Sequence, residues 1–132
     1  MLAGNCAGAP GFHPWLAAGF VPACEVATAA LAGGNAVVVV ASETYPLAAI
    51  ELAEAIATSD LPGGTLNILT GRRAELAPVL AAHMDVNAID VTGAGATTSE
   101  LEILAADNVK RVVKAGGEQS PWEISAFLEM KT

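Results

Sequence analysis

The stretch GGNAVVVVA, residues 33–41, decides the fold class of this 132-residue chain. Residues 36–41 carry apolar side chains, four of them branched, without polar alternation. Such a strand is typical of a parallel sheet that helices cover on both faces. Gly33, Gly34 and Asn35 before it are typical of the left-handed turn that ends a helix. The stretch therefore predicts a helix, a sharp turn and a buried parallel strand.

Strands and helices alternate along the rest of the chain. Pro46 suits the first turn of a second helix, whose apolar and polar faces are two sets of residues: Ala49, Leu52, Ala53 and Ile56 against Glu51, Glu54 and Thr58. Further predicted helices cover residues 15–31, 75–83 and 99–106, and the predicted strands cover residues 36–41, 65–69, 88–91 and 109–113. This alternation implies right-handed crossovers. We therefore predict an α/β fold with three layers, in which an open, mostly parallel sheet carries helices on both faces.

The whole chain, residues 1–132, is predicted to be a single domain with an irregular lead-in and a tail. The lead-in, residues 1–14, is rich in Gly, Ala and Pro and shows no clear period. In the tail, residues 121–132, a short helix is predicted whose large apolar side chains are Trp122, Ile124, Phe127 and Leu128. We expect this helix to cross to a neighbouring subunit; the alternative is that it covers an edge of its own sheet.

Charge and composition narrow the kinds of partner. The net charge of −8 repels a phosphate backbone, so no nucleic-acid partner is expected, and the basic cluster of Lys110, Arg111 and Lys114 is predicted to be a solvated strand end. No apolar run approaches the roughly 20 residues of a membrane helix, and no signal peptide is evident. We therefore expect a cytoplasmic protein without a membrane partner. The apolar content of 53% is high for a domain of this size, which indicates a docking surface for a second copy or a partner subunit.

The loop VTGAGATTSE, residues 91–100, matches a phosphate-binding loop only in part. Gly93 and Gly95 match the first two of the three glycines that such a loop requires, but Thr98 stands at the third. Near the position where an acidic residue would hold a ribose, this sequence has Lys114. A plain glycine turn between a strand and a helix is therefore favoured.

Three stretches, in order, resemble the cofactor-binding domain of the aldehyde dehydrogenase superfamily. They are LAGGNAVVVVASE at residues 31–43, LPGGTLNILTG at residues 61–71 and HMDVNAIDVTG at residues 83–93. The resemblance implies a Rossmann-like sheet that binds NAD or NADP without a three-glycine loop. It is the three stretches together, in this order and spacing, that make the resemblance specific.

The resemblance also implies where the cofactor lies. A serine and a glutamate follow the first strand, one glycine turn lies beside the adenine, and a second turn lies under the pyrophosphate; the matching residues are Ser42, Glu43, Gly71, Thr92 and Gly93. In the family, a lysine at the position of Val40 helps the glutamate to hold the adenosine ribose. Because Val40 carries no ammonium group, we expect NAD or NADP to bind weakly.

No catalytic residue is implied by the same resemblance. The family's cysteine nucleophile belongs to a separate catalytic domain, and Cys6 and Cys24 do not match its motif; both are predicted to be small buried apolar residues. Lys114 stands near the position of the glutamate base, and an ammonium group cannot serve as a base of that kind. No metal site is expected, since His83 has no paired ligand motif and suits the end of a helix.

Three functions are consistent with this pattern. We expect a non-catalytic domain, either a pseudoenzyme or a subunit that assembles with copies of itself or with an active aldehyde dehydrogenase. One alternative is a fragment of an active NAD(P)-dependent aldehyde dehydrogenase whose catalytic cysteine domain lies elsewhere. The other is a nucleotide-sensing module, which differs from the first in requiring nucleotide binding.

Overall fold

The computed structural model describes residues 21–92, 94–114, 125, 127 and 128, with side chains from residue 27 onward. Residues 21–114 form four helices, α1 Val21–Ala32, α2 Leu47–Ala57, α3 Arg73–Ala82 and α4 Thr98–Ala106, and four strands, β1 Val37–Val40, β2 Leu66–Leu69, β3 Ala88–Asp90 and β4 Arg111–Val113. A 3₁₀ turn, Gly95–Thr97, precedes α4. Within these ranges no helix has the length and apolarity needed to cross a membrane. The predicted alternation of helices and strands is confirmed.

The turn after α1 has the hydrogen bonds that its glycines predict. Gly34 adopts a φ of +79°, which a glycine tolerates without strain. The N–H of Gly34 donates to the carbonyl of Leu31, and the N–H of Asn35 donates to the carbonyl of Ala30. This pair of bonds satisfies two carbonyls at the end of the helix and turns the chain directly into β1.

The strands pair in parallel, as predicted. β1 pairs with β2, with Val37 opposite Leu66, and β3 pairs with β4, with Ala88 opposite Arg111. The pairing therefore gives two parallel units of two strands each. The ladder of the first unit continues for one further bond, from the N–H of Ala41 to Leu69, before the strands separate.

Helices cover both faces of the strands. One core cluster joins α1 and the tail to β1, and Ala88 and Val113 pack against it; its buried members are Ala27, Ala30, Val37, Val39 and Phe127. A second cluster joins α3 and α4 to β3, and its members are Ala77, Ala81, Ile89, Val91, Leu101 and Ala105. Neighbouring residues of a strand face opposite sides, so Ala88 and Ile89 belong to different clusters. This arrangement confirms the predicted three layers.

Helix α2 lies on the surface of this core. It begins directly after Pro46, as predicted, and none of its residues is fully buried. The stripe of Ala49, Leu52, Ala53 and Ile56 is half-buried, whereas Glu51, Glu54 and Thr58 are exposed. The apolar spacing therefore predicted correctly which side of α2 faces the protein.

Two predictions about the start of β4 are wrong. Val109 lies in a turn with a φ of +54° and is 91% exposed, so the strand begins at Arg111. Lys110, predicted to be solvated, is buried, and its ammonium group donates a hydrogen bond to the carbonyl of His83. His83 is the C-cap of α3, so Lys110 places a positive charge at the negative end of that helix.

The described part of the tail packs against its own chain. Phe127 is 6% exposed and belongs to the first core cluster. Asn35 donates from its side chain to the carbonyl of Phe127 at 3.1 Å, and Arg111 donates to the carbonyl of Leu128. The prediction that the tail crosses to a neighbour is therefore wrong for Phe127, which packs in the core of its own chain. The lead-in, Trp122 and Ile124 lie outside the described residues.

Replacement of Phe127 by alanine should destabilise the chain by about 3–5 kcal/mol, because it removes a large buried side chain from the first cluster. Leu128→Ala is the matched control, since Leu128 is 45% exposed, and it should cost about 1 kcal/mol. Urea unfolding of both variants measures the difference. Equal losses in the two variants would contradict the assignment of Phe127 to this core.

Candidate functional site

The carboxyl ends of β1, β2 and β3 carry the residues that the resemblance singles out. The amino ends of three strands surround one cavity of about 290 Å³, whose lining includes Val37, Ala88 and Arg111. The strands of each unit are parallel. Their carboxyl ends therefore lie at the edge opposite this cavity. In parallel sheets of this kind, ligands bind outside the carboxyl ends of the strands. This edge is therefore the candidate site.

Ser42 and Glu43 leave β1 with different hydrogen-bond partners. The hydroxyl of Ser42 accepts a bond from the N–H of Tyr45 at 3.3 Å, which shapes the turn toward α2. The exposed Glu43 reaches across to the turn after β2, where its Oε1 accepts a bond from the N–H of Arg73 at 2.5 Å. The two predicted residues thus lie at one edge, and Glu43 joins two of its loops.

Two features require a glycine at position 71: the backbone conformation and the closeness of a neighbouring side chain. Its φ of +154° lies in a region that side-chain-bearing residues avoid. A Cβ atom at this position would lie 3.1 Å from Cδ1 of Leu76, closer than ordinary packing allows. A glycine is therefore needed for the chain to pass from β2 into α3 at this edge.

The turn after β3 is anchored by an acidic residue that the sequence reasoning did not single out. The N–H of Thr92 donates to Oδ1 of Asp90 at 2.7 Å, and Asp90 itself is 1% exposed. Burial raises the pKa of the Asp90 carboxyl, and its hydrogen bonds with Thr92 partly offset that rise. An acidic residue within a strand predicted to be buried on both faces was the available signal. Gly93 lies outside the described residues.

In the segment between this turn and α4, the threonine hydroxyl groups form hydrogen bonds with nearby backbone carbonyls. Gly95 has a φ of +61° and begins the 3₁₀ turn. The hydroxyls of Thr97 and Thr98 each donate at 2.8 Å to carbonyls of the same turn, those of Ala94 and Gly95. Thr98, which stands where a third glycine was sought, is therefore accommodated as the first residue of α4.

Val40, which stands where the resemblance implies a lysine that holds the ribose, lies in the interior of the protein. Val40 is 1% exposed and ranks among the largest fully buried side chains of the described residues. It is the last residue of β1, two positions before Ser42. The side chain at this position is therefore covered by the protein and not open to solvent.

Lys114, near the expected position of the base, is engaged elsewhere. Its ammonium group forms an ion pair with the carboxylate of Glu102 on α4. The side chain of Cys24, together with all of Cys6, lies outside the described residues. Among the residues that are described, no three His, Cys, Asp or Glu side chains group together as metal ligands would.

Comparison with known proteins gives one consistent family. The family model described as the aldehyde dehydrogenase family matches residues 10–131. The chain is 38% identical over 99 residues to a betaine aldehyde dehydrogenase of Rhizobium leguminosarum bv. trifolii, which covers 75% of this chain and 20% of the relative. It is 43% identical over 93 residues to the NADP/NAD-dependent aldehyde dehydrogenase PuuC of Escherichia coli, which covers 69% of this chain and 19% of the relative.

Solved structures agree with the sequence relatives. An indole-3-acetaldehyde dehydrogenase of P. syringae in complex with NAD+ superposes with a TM-score of 0.64 at 40% identity, over 68% of this chain and 18% of that one. A betaine aldehyde dehydrogenase of Staphylococcus aureus in complex with NAD+ superposes with a TM-score of 0.67 at 29% identity, over 72% of this chain and 19% of that one. The chain spans about a fifth of the length of these proteins.

The buried Asp90 predicts a dependence of stability on pH. Since its pKa in the folded protein is raised above the ordinary value of 3.8, its contribution to stability is complete below that value and is lost as the pH rises through the raised pKa. Asp90→Asn keeps an oxygen acceptor for the N–H of Thr92 without the charge. The variant should therefore match wild type in urea unfolding near pH 4 and exceed it at pH 7.

The exposed Asp60 provides the control for this measurement. Asp60→Asn should change the free energy of unfolding by less than about 0.5 kcal/mol, because Asp60 is exposed. An Asp90→Asn variant that is less stable than wild type at pH 7 would show that the anionic form of Asp90 is needed by the fold.

Proposed function

The chain belongs to the aldehyde dehydrogenase family, and we propose that it is the part of such an enzyme that binds the adenosine half of NAD or NADP. The observation that carries this proposal is the position of Glu43. Its carboxylate lies at the carboxyl edge of parallel strands, within 2.5 Å of the turn that follows Gly71. A carboxylate at this edge is suited to accept hydrogen bonds from ribose hydroxyls.

The described residues fit an adenosine group. Glu43 is exposed, and a carboxylate has two oxygens that accept several hydrogen bonds, so its bond with Arg73 does not exhaust it. Gly71 is exposed and has no side chain, which lets a planar base approach the backbone beside it. Ser42 sets the direction of the chain between β1 and α2 through its bond with Tyr45. We assign these three residues to the ribose and adenine.

The second turn has a supporting role in this proposal. Thr92 follows β3 at the same edge, and Asp90 accepts a hydrogen bond from the N–H of Thr92. We assign this turn to the pyrophosphate on the basis of its order along the chain. When bound, NAD or NADP supplies the acceptor for the hydride that leaves the aldehyde substrate in enzymes of this family. The described residues bind and orient the cofactor's adenosine end.

The affinity for the cofactor is expected to be low. A lysine at the position of Val40 would donate a charge-assisted hydrogen bond to the ribose, worth about 1.5–3 kcal/mol. Val40 offers no donor and is buried. NAD should therefore bind to the isolated chain with a dissociation constant of about 1 mM or weaker.

Val40→Lys should tighten NAD binding by about tenfold, because it restores one charge-assisted bond to the ribose. It should also lower the free energy of unfolding by at least about 2 kcal/mol, since the ammonium group and its stem start from a buried position. Isothermal calorimetry and urea unfolding measure the two effects. Val40→Met is the matched control, because it is long and unbranched but uncharged.

Two outcomes would count against the cofactor proposal. One is a micromolar constant for wild type, which would mean that a ribose lysine is not needed here. The other is a Val40→Lys variant that stays folded and binds NAD no better than Val40→Met does.

A second candidate function is that of a non-catalytic subunit that assembles with another chain. Large apolar side chains on α3 and α4, or directly after them, are exposed: Val79 at 63%, Met84 at 80%, Ile103 at 68% and Val109 at 91%. Exposed apolar surface of this kind marks interfaces in soluble proteins. A second copy or an active aldehyde dehydrogenase subunit is the partner that this candidate requires.

The assembly candidate predicts that the chain alone sediments as a dimer or larger and that Ile103→Glu returns it to a monomer, because a buried carboxylate opposes association. It also predicts no NAD-dependent oxidation of betaine aldehyde, the substrate named for several relatives, since Lys114 cannot act as a base. Glu51→Lys, on exposed α2, is the control for charge alone. A wild-type monomer at high concentration would exclude assembly with a second copy, and measurable turnover would exclude a non-catalytic role.

A further inference from the structure

Glu43 contacts a residue thirty positions later in the chain. Its Oε1 accepts a bond from the backbone N–H of Arg73, the first residue of α3. Glu43 follows β1, whereas α3 follows β2, so this one bond joins the loops after two paired strands. Helix starts leave their first N–H groups without partners inside the helix.

Helix α3 has no cap from its own N-terminal residue. Arg72 occupies the N-cap position in an extended conformation, and its side chain makes no capping bond. The N–H groups of Glu75 and Leu76 are satisfied by the carbonyl of Arg72 at 3.0 Å each. Glu43 supplies from another loop an acceptor for the first N–H of the helix, whereas a serine or aspartate at the N-cap accepts from the second or third N–H. The negative charge of Glu43 also suits the start of a helix.

We propose that Glu43 is a positioning residue, whose carboxylate caps α3 and thereby holds the Gly71 turn against the end of β1 before any ligand binds. The bond between Glu43 and Arg73 links the loop after β1 to the start of α3 at this edge. Gly71 lies two residues before the capped N–H, at a φ of +154° that residues with a side chain rarely adopt. The side chain that faces the ribose is thus the same one that sets the shape of the adenine turn.

The cap has a consequence for the ligand, which rests on the proposed adenosine site. A carboxylate already held by Arg73 loses little side-chain freedom when a ligand binds, and such preorganisation favours binding. A carboxylate can accept several hydrogen bonds. A ribose diol can therefore donate to Glu43 while Oε1 keeps its bond with the N–H of Arg73. Ligand binding should therefore strengthen the cap instead of competing with it.

Amide hydrogen exchange in the ligand-free chain, followed residue by residue by NMR, tests the cap. Glu43→Ala should speed exchange at the Arg73 amide by about fivefold, the effect of losing one helix cap, and leave the amides of Ala77 and Ala81 unchanged. Glu75→Gln is the control: it removes a negative charge from the first turn of α3, where Glu75 pairs with Arg72, but it leaves the cap in place. Unchanged exchange at Arg73 in Glu43→Ala would overturn the proposal.

Two further variants keep the test decisive if Glu43→Ala unfolds the chain. Glu43→Gln retains an acceptor oxygen and should protect the Arg73 amide nearly as well as wild type does. Glu43→Asp retains the charge but is one methylene shorter, and it should lose the protection. The reverse order of these two variants would show that charge near the helix, and not the bond to Arg73, is what matters.

Adenosine 5′-monophosphate and its 2′,3′-dideoxy analogue test the consequence for the ligand. Saturation with the monophosphate should slow exchange at the Arg73 amide about twofold or more, a difference of about 0.4 kcal/mol by RT ln 2. The dideoxy analogue should leave it unchanged. Faster exchange with the monophosphate would mean that the ribose displaces the helix and would overturn the preorganised cap. If neither nucleotide binds, the proposed adenosine site is overturned. The exchange rate of the Arg73 amide in the ligand-free chain tests the cap separately.

Discussion

Parallel pairing of β1 with β2 is the constraint on which the arrangement of the site depends. Two parallel strands cannot be joined by a tight hairpin, so the chain must cross over between them through a helix. Here α2 makes that crossover, and it returns the chain to the same end of the sheet. Ser42 and Glu43 therefore leave the sheet at the edge from which Gly71 also leaves. The closeness of Glu43 to Arg73 follows from this topology.

The two core clusters show how a chain so rich in alanine remains well packed. Small side chains on α1, α3 and α4 let each helix approach its strands closely, and branched or aromatic side chains fill the space between them. The first cluster also needs Phe127, whose carbonyl is held by Asn35. Asn35 donates to Ala30 as well, so the end of α1 and the tail share one amide group.

The sequence was sufficient for those features that depend on local periodicity or on turn chemistry. Gly34 predicted the end of α1, and the run of valines predicted a covered parallel strand. The apolar residues at helical spacing, from Ala49 to Ile56, predicted which side of α2 faces the protein. Features that depend on contacts distant in the sequence were not predictable in this way. Val109 is exposed and Lys110 is buried, the reverse of their usual preferences. Lys110 donates a hydrogen bond to the carbonyl of His83, a contact that spans 27 residues. The partner of Glu43 was not predictable either, because it is a backbone N–H thirty residues away, and every residue type except proline has such a group.

The tail contact also has a consequence for the order in which the protein folds. The second cluster lies within residues 77–105 and forms from contacts that are close in the chain. The bond between Asn35 and Phe127 spans 92 residues, and closing a long loop costs more conformational entropy than closing a short one. Contacts of high sequence separation are slow to form. We therefore expect the layer of α3, α4 and β3 to assemble first during synthesis, and the first cluster to be completed only when Phe127 packs against it.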